Sequence, residues 1–218
     1  MWVPRQSARC HANDPCRVRR IPLRARAGFS LIELLVTFVL LLILTSMMWG
    51  FGSASHQHQQ KKLCQQNLSK IYLAMEIYAN DNAGTFPETN GVRTSEGVLD
   101  VLVPHYTVDT SIFICPGSKD SALPAGESFR NRRISYAYCM GRRIADAREV
   151  LMSDKQVDTR PKSTGDLVFS TTGKPPGNNH SKYGGNFLFC DGHMESSPDH
   201  LPFSLVLTQG VVLLNPKP

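Results

Sequence analysis

The chain has 218 residues, a formal net charge of +6 and a pI near 9.1, a length that suits one membrane helix and one modest soluble domain. The positive charge is concentrated in residues 1–28, which contain seven arginines and a single acid, Asp14, while residues 29–218 carry equal numbers of basic and acidic side chains. Because this larger part is neutral overall, the composition argues against a nucleic-acid-binding surface.

An apolar run follows the basic segment. No charged side chain occurs from Leu34 to Gly52, which is about the length that a helix needs to cross the hydrocarbon core of a bilayer. The positive-inside rule keeps the basic segment in the cytoplasm and places the later residues on the far side. We therefore predict a transmembrane helix over residues 29–52. Glu33 lies at its edge, where a carboxylate without a positive partner is costly.

The residues around Glu33 follow a specific order. In the segment AGFSLIELLV, Gly28 and Phe29 precede a short apolar stretch, Glu33 and then the charge-free run. This segment resembles the processing site of type IV prepilins and type II secretion pseudopilins. The resemblance implies that a prepilin peptidase removes the 1–28 leader by cleavage between Gly28 and Phe29, and methylates the new N-terminal residue. An uncleaved signal anchor is the alternative interpretation of the same basic and apolar segments.

The same resemblance implies a role for Glu33 in assembly. Cleavage before Phe29 creates a positively charged amine, and in this family the glutamate is thought to pair with that amine on a neighbouring subunit. A buried carboxylate is far less costly when paired than when alone, so Glu33 would report the presence of a correct neighbour. The implied partners are copies of this chain or other pseudopilins, an inner-membrane assembly platform and a cytoplasmic ATPase. The resemblance is compatible with a filament for secretion, adhesion, motility or DNA uptake.

The next segment, residues 53–82, is predicted to continue as an amphipathic helix that ends at NDNAGTFP, where Asn, Gly and Pro interrupt the pattern. Its apolar residues recur at steps of three and four and so share one face: Cys64, Leu68, Ile71, Met75 and Tyr78. We expect that face to pack on a periplasmic globular domain formed by residues 83–218. The predicted fold class is α+β, with one long N-terminal helix against a small antiparallel sheet.

Several shorter elements are predicted within this domain. Residues 98–106 are expected to form a short helix, and residues 111–120 a short strand or extended piece that leads into a turn. Residues 134–141 and 149–154 are rich in β-branched and aromatic side chains, which favours strands.

A hairpin is predicted where Asp191-Gly192 separates NFLFC from HMES, since Asp-Gly suits a two-residue type I′ turn. The segment from His180 onward resembles the His-x9-Asp-Gly signature of prepilin-type proteins, although ten residues separate His180 from Asp191 here.

Four cysteines follow the apolar run, and in an oxidising compartment they could form disulfides in three pairings. We favour Cys139 with Cys190 on neighbouring strands and Cys64 with Cys115 between helix and sheet. Buried free thiols are the alternative.

Asp154, His180, Asp191 and His193 are candidate ligands for zinc or calcium, because carboxylates and imidazoles commonly bind metals. The turn already explains Asp191, and the spacing matches no compact metal motif, so we predict no metal. No G-x-S-x-G, H-E-x-x-H or phosphate loop occurs, and we predict no catalytic residue. A membrane-anchored periplasmic metal-binding protein or enzyme is the alternative to a structural subunit.

Overall fold

The computed structural model divides into two compact units, which meet between Trp49 and Gly50. The first unit contains all but the last residue of helix α1, Leu31–Gly50, and the second contains the globular domain. Residues 1–27 of the leader and Phe29 lie outside the described residues, so the predicted cleavage position is described only on its Gly28 side. The described residues are 28, 30–50, 52–172 and 179–218.

Helix α1 spans Leu31–Gly50. It begins where the Ser30 carbonyl accepts hydrogen bonds from the backbone N–H groups of Glu33 and Leu34, at 3.0 and 3.2 Å. Most of its large apolar side chains are exposed in this single chain. Among the described residues, no helix has the length and apolar character that crossing a membrane requires. The predicted span of residues 29–52 also includes positions 29 and 51, which are not described.

Helix α2 spans Gly52–Asp81 and carries the predicted amphipathic face. Of the five predicted side chains, Tyr78 is partly buried. The other four are fully buried: Cys64, Leu68, Ile71 and Met75. Beyond the helix the chain turns at Ala83 and Gly84, which have φ values of 53° and 76°. The Gly84 N–H donates to the Ala79 carbonyl at 2.7 Å, so one of the last carbonyls of α2 is satisfied.

The sheet has five antiparallel strands, β1 Tyr136–Met140, β2 Val150–Asp154, β3 Gly185–Phe189, β4 Met194–Ser197 and β5 Val212–Leu214. Their spatial order is β4-β3-β2-β1-β5. The prediction of an α+β domain with a small antiparallel sheet is confirmed, and both predicted strand segments contain a strand. The C-terminal strand β5 was not predicted.

The segment between α2 and the sheet is mostly irregular, with three short helical pieces. Helix α3 spans Ser95–Leu99 and continues as a 3₁₀ turn, Asp100–Leu102, which overlaps the predicted helix. The strand or extended piece predicted at the start of 111–120 is wrong, because a 3₁₀ helix occupies Thr110–Phe113, but the turn predicted to follow is present at 116–117. The preceding Asp109 accepts a hydrogen bond from the Ser111 N–H at 3.2 Å, and this local cap favours the helical turn over an extended chain.

Both faces of the sheet are covered. Along β1, Tyr136 and Tyr138 belong to the apolar cluster that contains the buried face of α2, whereas Ala137 and Cys139 belong to a second cluster on the opposite face. Cys190 belongs to the first cluster. Cys139 and Cys190 are therefore in different apolar clusters and are both free thiols, so the predicted disulfide between them is wrong.

The hairpin between β3 and β4 is present, but its turn differs from the predicted two-residue type. The Phe189 N–H donates to the His193 carbonyl at 3.0 Å, so three residues form the loop. Only Gly192 among them has a positive φ, 85°, whereas a type I′ turn would also need positive φ at Asp191. The loop is therefore a turn closed by a glycine in the left-handed region.

Replacing Gly192 by alanine is expected to destabilise the domain more than the same change at Gly210. Both glycines have a φ near 85–89°, but a Cβ at Gly192 would lie 2.6 Å from the Tyr72 ring, whereas Gly210 faces open space. The left-handed backbone alone costs about 1–2 kcal/mol for alanine, and overpacking adds about 1–3 kcal/mol at Gly192. Urea unfolding of the two variants checks this, and equal losses would contradict the role given to Tyr72.

Candidate functional site

The N-terminal candidate residues lie at the start of α1. Gly28 and Ser30 are exposed, and Glu33 is exposed in the first turn of the helix. A carboxylate in the first turn interacts favourably with the positive end of the helix dipole. No salt bridge to Glu33 forms within the residues that the structure describes, so its charge is available to a partner from outside the chain.

The second candidate site is a buried polar cluster centred on Asp154, the last residue of β2, which is only 1% exposed. Its carboxylate accepts three hydrogen bonds. The Asn179 side-chain amide donates at 2.5 Å, and Asn186 donates through its backbone N–H at 2.7 Å and through its side chain at 3.0 Å. A buried carboxylate needs such partners because it has lost its contact with water. The cluster thus holds a negative charge at a fixed position.

Lys61 of α2 brings a positive charge to the same region. Its ammonium donates to the carbonyls of Tyr183 and Ser197 at 2.7 and 2.8 Å, and the residue is 9% exposed. Burial lowers the pKa of Lys61, and the nearby Asp154 carboxylate acts in the opposite direction. The hydrogen bonds of Lys61 therefore tie α2 to the segment before β3 and to the end of β4.

His180 is fully buried beside Asp154. Its Nε2 lies 3.7 Å from Asp154 Oδ2 and 3.4 Å from the Sγ of Cys115. Its Nδ1 has no hydrogen-bond partner among the described residues. Burial lowers the pKa of His180, Asp154 opposes that shift, and Lys61 adds to it. The imidazole thus faces a sulfur and a carboxylate oxygen with the same nitrogen.

The sulfur that faces His180 belongs to a disulfide. Cys64 of α2 is bonded to Cys115, and their Cα atoms are 5.3 Å apart. This is one of the two predicted pairings, although Cys115 lies in the loop after the 3₁₀ helix and not in the sheet. Closing a loop with a sequence separation of 51 residues stabilises the fold by about 4 kcal/mol in the chain-entropy account. The Gly117 N–H donates to the Cys115 sulfur at 3.4 Å.

The four predicted metal candidates do not form one site. Asp154 and His180 lie in the buried cluster, whereas Asp191 and His193 form an exposed pair in the hairpin loop, with Oδ1 and Nδ1 2.6 Å apart. The His193 ring also stacks on Phe189 at 4.0 Å between centroids. Sequence reasoning missed the contributions of the following residues to the buried cluster: Lys61, Asn179, Asn186 and the disulfide cysteines.

The free thiols of Cys139 and Cys190 are expected to be unreactive in the native protein. Both are fully buried, and burial raises the pKa of each to about 12, so only about one thiol in a thousand is ionised at pH 9. In a variant with Cys10 and Cys16 replaced by serine, we expect no maleimide labelling of the folded chain. Urea should release two reactive thiols per chain. Rapid labelling of the folded chain at pH 8 would contradict this burial.

Comparison with known families concerns the N-terminal segment. Residues 23–49 match the family model described as the prokaryotic N-terminal methylation motif. The chain carries a prepilin-type methylation motif. The match includes Gly28, Phe29 and Glu33, it is consistent with a type IV prepilin-like or pseudopilin-like protein, and it implies processing by a prepilin peptidase and assembly with other pilins. No significant match was found among curated proteins or solved structures.

Proposed function

We propose that this prepilin-like chain is a structural subunit of a periplasmic filament in a type II secretion or type IV pilus-like system. The observation that carries the proposal is the methylation motif at residues 23–49. After cleavage between Gly28 and Phe29, the new amine is methylated and Glu33 pairs with the amine of a neighbouring subunit. Copies of this chain or other pseudopilins supply that neighbour, and an inner-membrane platform with a cytoplasmic ATPase drives assembly.

The exposed surface of α1 supports assembly through helix packing. Large apolar side chains are exposed around the helix, including Leu31 at 82% and Phe38 at 61%. Such a continuous apolar surface is costly in water and is stabilised by burial against lipid or other helices. We propose that residues 29–52 lie in the inner membrane before assembly and pack against neighbouring helices within the filament.

The globular domain is proposed to lie in the periplasm. The disulfide between Cys64 and Cys115 supports an oxidising compartment, where such bonds persist. The excess of arginines in residues 1–28 supports a cytoplasmic leader.

We propose that the domain is not an enzyme. Asp154 and His180 are 1% and 0% exposed, so a substrate could not reach them in this conformation. Beside the exposed pair of Asp191 and His193, the Cys190 thiol is buried. Another neighbour of the His193 ring is the Glu195 carboxylate, 3.7 Å from Nε2. A metal-binding protein is the second candidate, and the cluster around His180 is the observation that favours it.

The N-terminus of the membrane-extracted protein tests the filament proposal. Mass spectrometry should find a methylated Phe29 at the N-terminus when an active prepilin peptidase is present, and the intact leader when it is absent. Gly28→Val should block cleavage, because the peptidase would have to accept a branched side chain in place of a hydrogen. The matched control Ala27→Ser should be cleaved normally. A peptidase-independent N-terminus, or cleavage after the apolar run, would overturn the proposal.

A further inference from the structure

The strongest unexplained feature of the domain is the set of four ligand-type atoms around the disulfide. Cys64, Cys115, Asp154 and His180 each place one potential metal ligand within 4.8 Å of the others, and all four residues are buried. They come from four separate parts of the fold, namely α2, the loop after the 3₁₀ helix Thr110–Phe113, the end of β2 and the segment before β3. Their convergence therefore depends on the whole domain.

We propose that Cys64, Cys115, Asp154 and His180 form a zinc site when the disulfide is reduced, so that the domain alternates between a disulfide form and a zinc form. This inference does not depend on the N-terminal motif or on the proposed filament. Two thiolates, one imidazole and one carboxylate are a ligand set that zinc accepts in tetrahedral geometry. Thiolates favour zinc over calcium or magnesium, which prefer oxygen ligands.

Two distances within the cluster already suit this geometry, and all four ligand atoms lie within 4.8 Å of one another. With zinc–ligand bonds of about 2.0–2.3 Å, neighbouring ligand atoms of a tetrahedral site lie about 3.3–3.8 Å apart. Nε2 of His180 is already 3.4 Å from Cys115 Sγ and 3.7 Å from Asp154 Oδ2. The principal change is at the bonded sulfurs, which must move to the wider separation. Rotation of the two cysteine side chains provides much of that movement, because the Cα atoms are 5.3 Å apart.

The surroundings are suited to both the charge and the ligands. Zinc with two thiolates and one carboxylate has a net charge of −1, and the buried Lys61 ammonium, which interacts with Asp154, offsets it. The Gly117 N–H already donates to the Cys115 sulfur, and such a donor stabilises a thiolate. Asn179 and Asn186 hold the Asp154 carboxylate, as the outer partners of a metal ligand do. A glycine is needed at 117, because a Cβ there would approach His180 Nδ1 to 2.7 Å.

The exchange is chemically balanced when a dithiol is the reductant. The bond between Cys64 and Cys115 is buried, so a dithiol attacks it when the domain opens locally. The bond breaks as the reductant forms its own disulfide, and the two protons of the reductant pass to the released sulfurs. Zinc then replaces those protons, so two protons are released as both thiols become thiolates. Oxidation of the apo form by a disulfide of the same class reverses the first step.

The test measures zinc in the full-length chain with Cys10 and Cys16 replaced by serine, which removes the leader thiols. The oxidised protein should bind no zinc at the site. After phosphine reduction in urea, refolding and removal of the reductant without air, it should bind one zinc per chain by mass spectrometry of the metal. Cobalt in place of zinc should give thiolate-to-cobalt charge-transfer absorption and the intense visible bands of a tetrahedral ion. Zinc should also raise the Tm of the reduced chain and leave that of the oxidised chain unchanged.

Variants locate the site. His180→Gln and Cys64→Ser should each weaken zinc binding by the reduced chain by at least about 100-fold, since each removes a direct ligand. Cys139→Ser and Cys190→Ser are matched controls, because they remove buried thiols outside the cluster and should leave zinc affinity unchanged. Equal binding before and after reduction, an octahedral cobalt spectrum in the reduced parent chain, or binding lost in the control variants would overturn the proposal. The cobalt spectrum and Tm of the parent chain keep the test decisive if a ligand variant fails to fold.

Discussion

Glu33→Leu is expected to abolish incorporation into filaments while leaving cleavage at Gly28 intact. The glutamate is the only charged residue of α1, and its carboxylate is exposed in the first turn with no salt bridge among the described residues. In the proposed filament it meets the new amine of a neighbour, and its removal leaves that amine without a partner in an apolar setting, which is strongly unfavourable. We expect filament yield to fall below detection in sheared-fraction immunoblots, with normal amounts of processed subunit in the membrane.

Thr37→Val is the matched control for this experiment. Thr37 lies one helical turn beyond Glu33, and its hydroxyl donates to the Leu34 carbonyl within the same helix at 2.9 Å. Its replacement removes a polar group from α1 without changing the charge, so filament yield should stay near that of the parent. Normal filaments from Glu33→Leu would contradict the proposed role of the ion pair.

Asp154→Ala is expected to cause the largest loss of stability in the globular domain, about 3–5 kcal/mol. The carboxylate accepts bonds from Asn179 and Asn186, and its loss leaves the buried Asn186 backbone N–H unpaired. Each of the two side-chain amides loses one of its two acceptors. The Lys61 ammonium would also lose the charge that opposes the effect of its burial. The midpoint of urea unfolding should therefore shift sharply downward, and much of the variant should be unfolded at 37 °C if the parent has ordinary stability.

Asp81→Ala is the control for Asp154→Ala. Asp81 is the exposed last residue of α2, and its loss should change the free energy of unfolding by no more than about 0.5 kcal/mol. Similar midpoints for the two variants would show that the buried cluster contributes little to stability.

The elements that could be predicted are those governed by local patterns. The three- and four-residue spacing on α2 identified its buried face, and the content of β-branched and aromatic side chains identified β1 and β2. The Asp191-Gly192 pair identified the hairpin, but not its three-residue loop. At residues 111–120 the pattern failed, because the cap at Asp109 favours a 3₁₀ helix over a strand. Strand β5 was missed, because its three residues acquire strand geometry only by pairing with β1.

The N-terminal methylation motif follows from the sequence alone, since Gly28, Phe29 and Glu33 lie close together along the chain and the match needs no folded neighbour. The buried cluster could be identified only from the tertiary structure. It placed Asp154 and His180 beside the disulfide of Cys64 and Cys115, and it left Asp191 and His193 in an exposed loop. It also placed Cys139 and Cys190 in separate apolar clusters. The physical reason is that these contacts join residues far apart in the chain, and strand register and helix packing fix their distances.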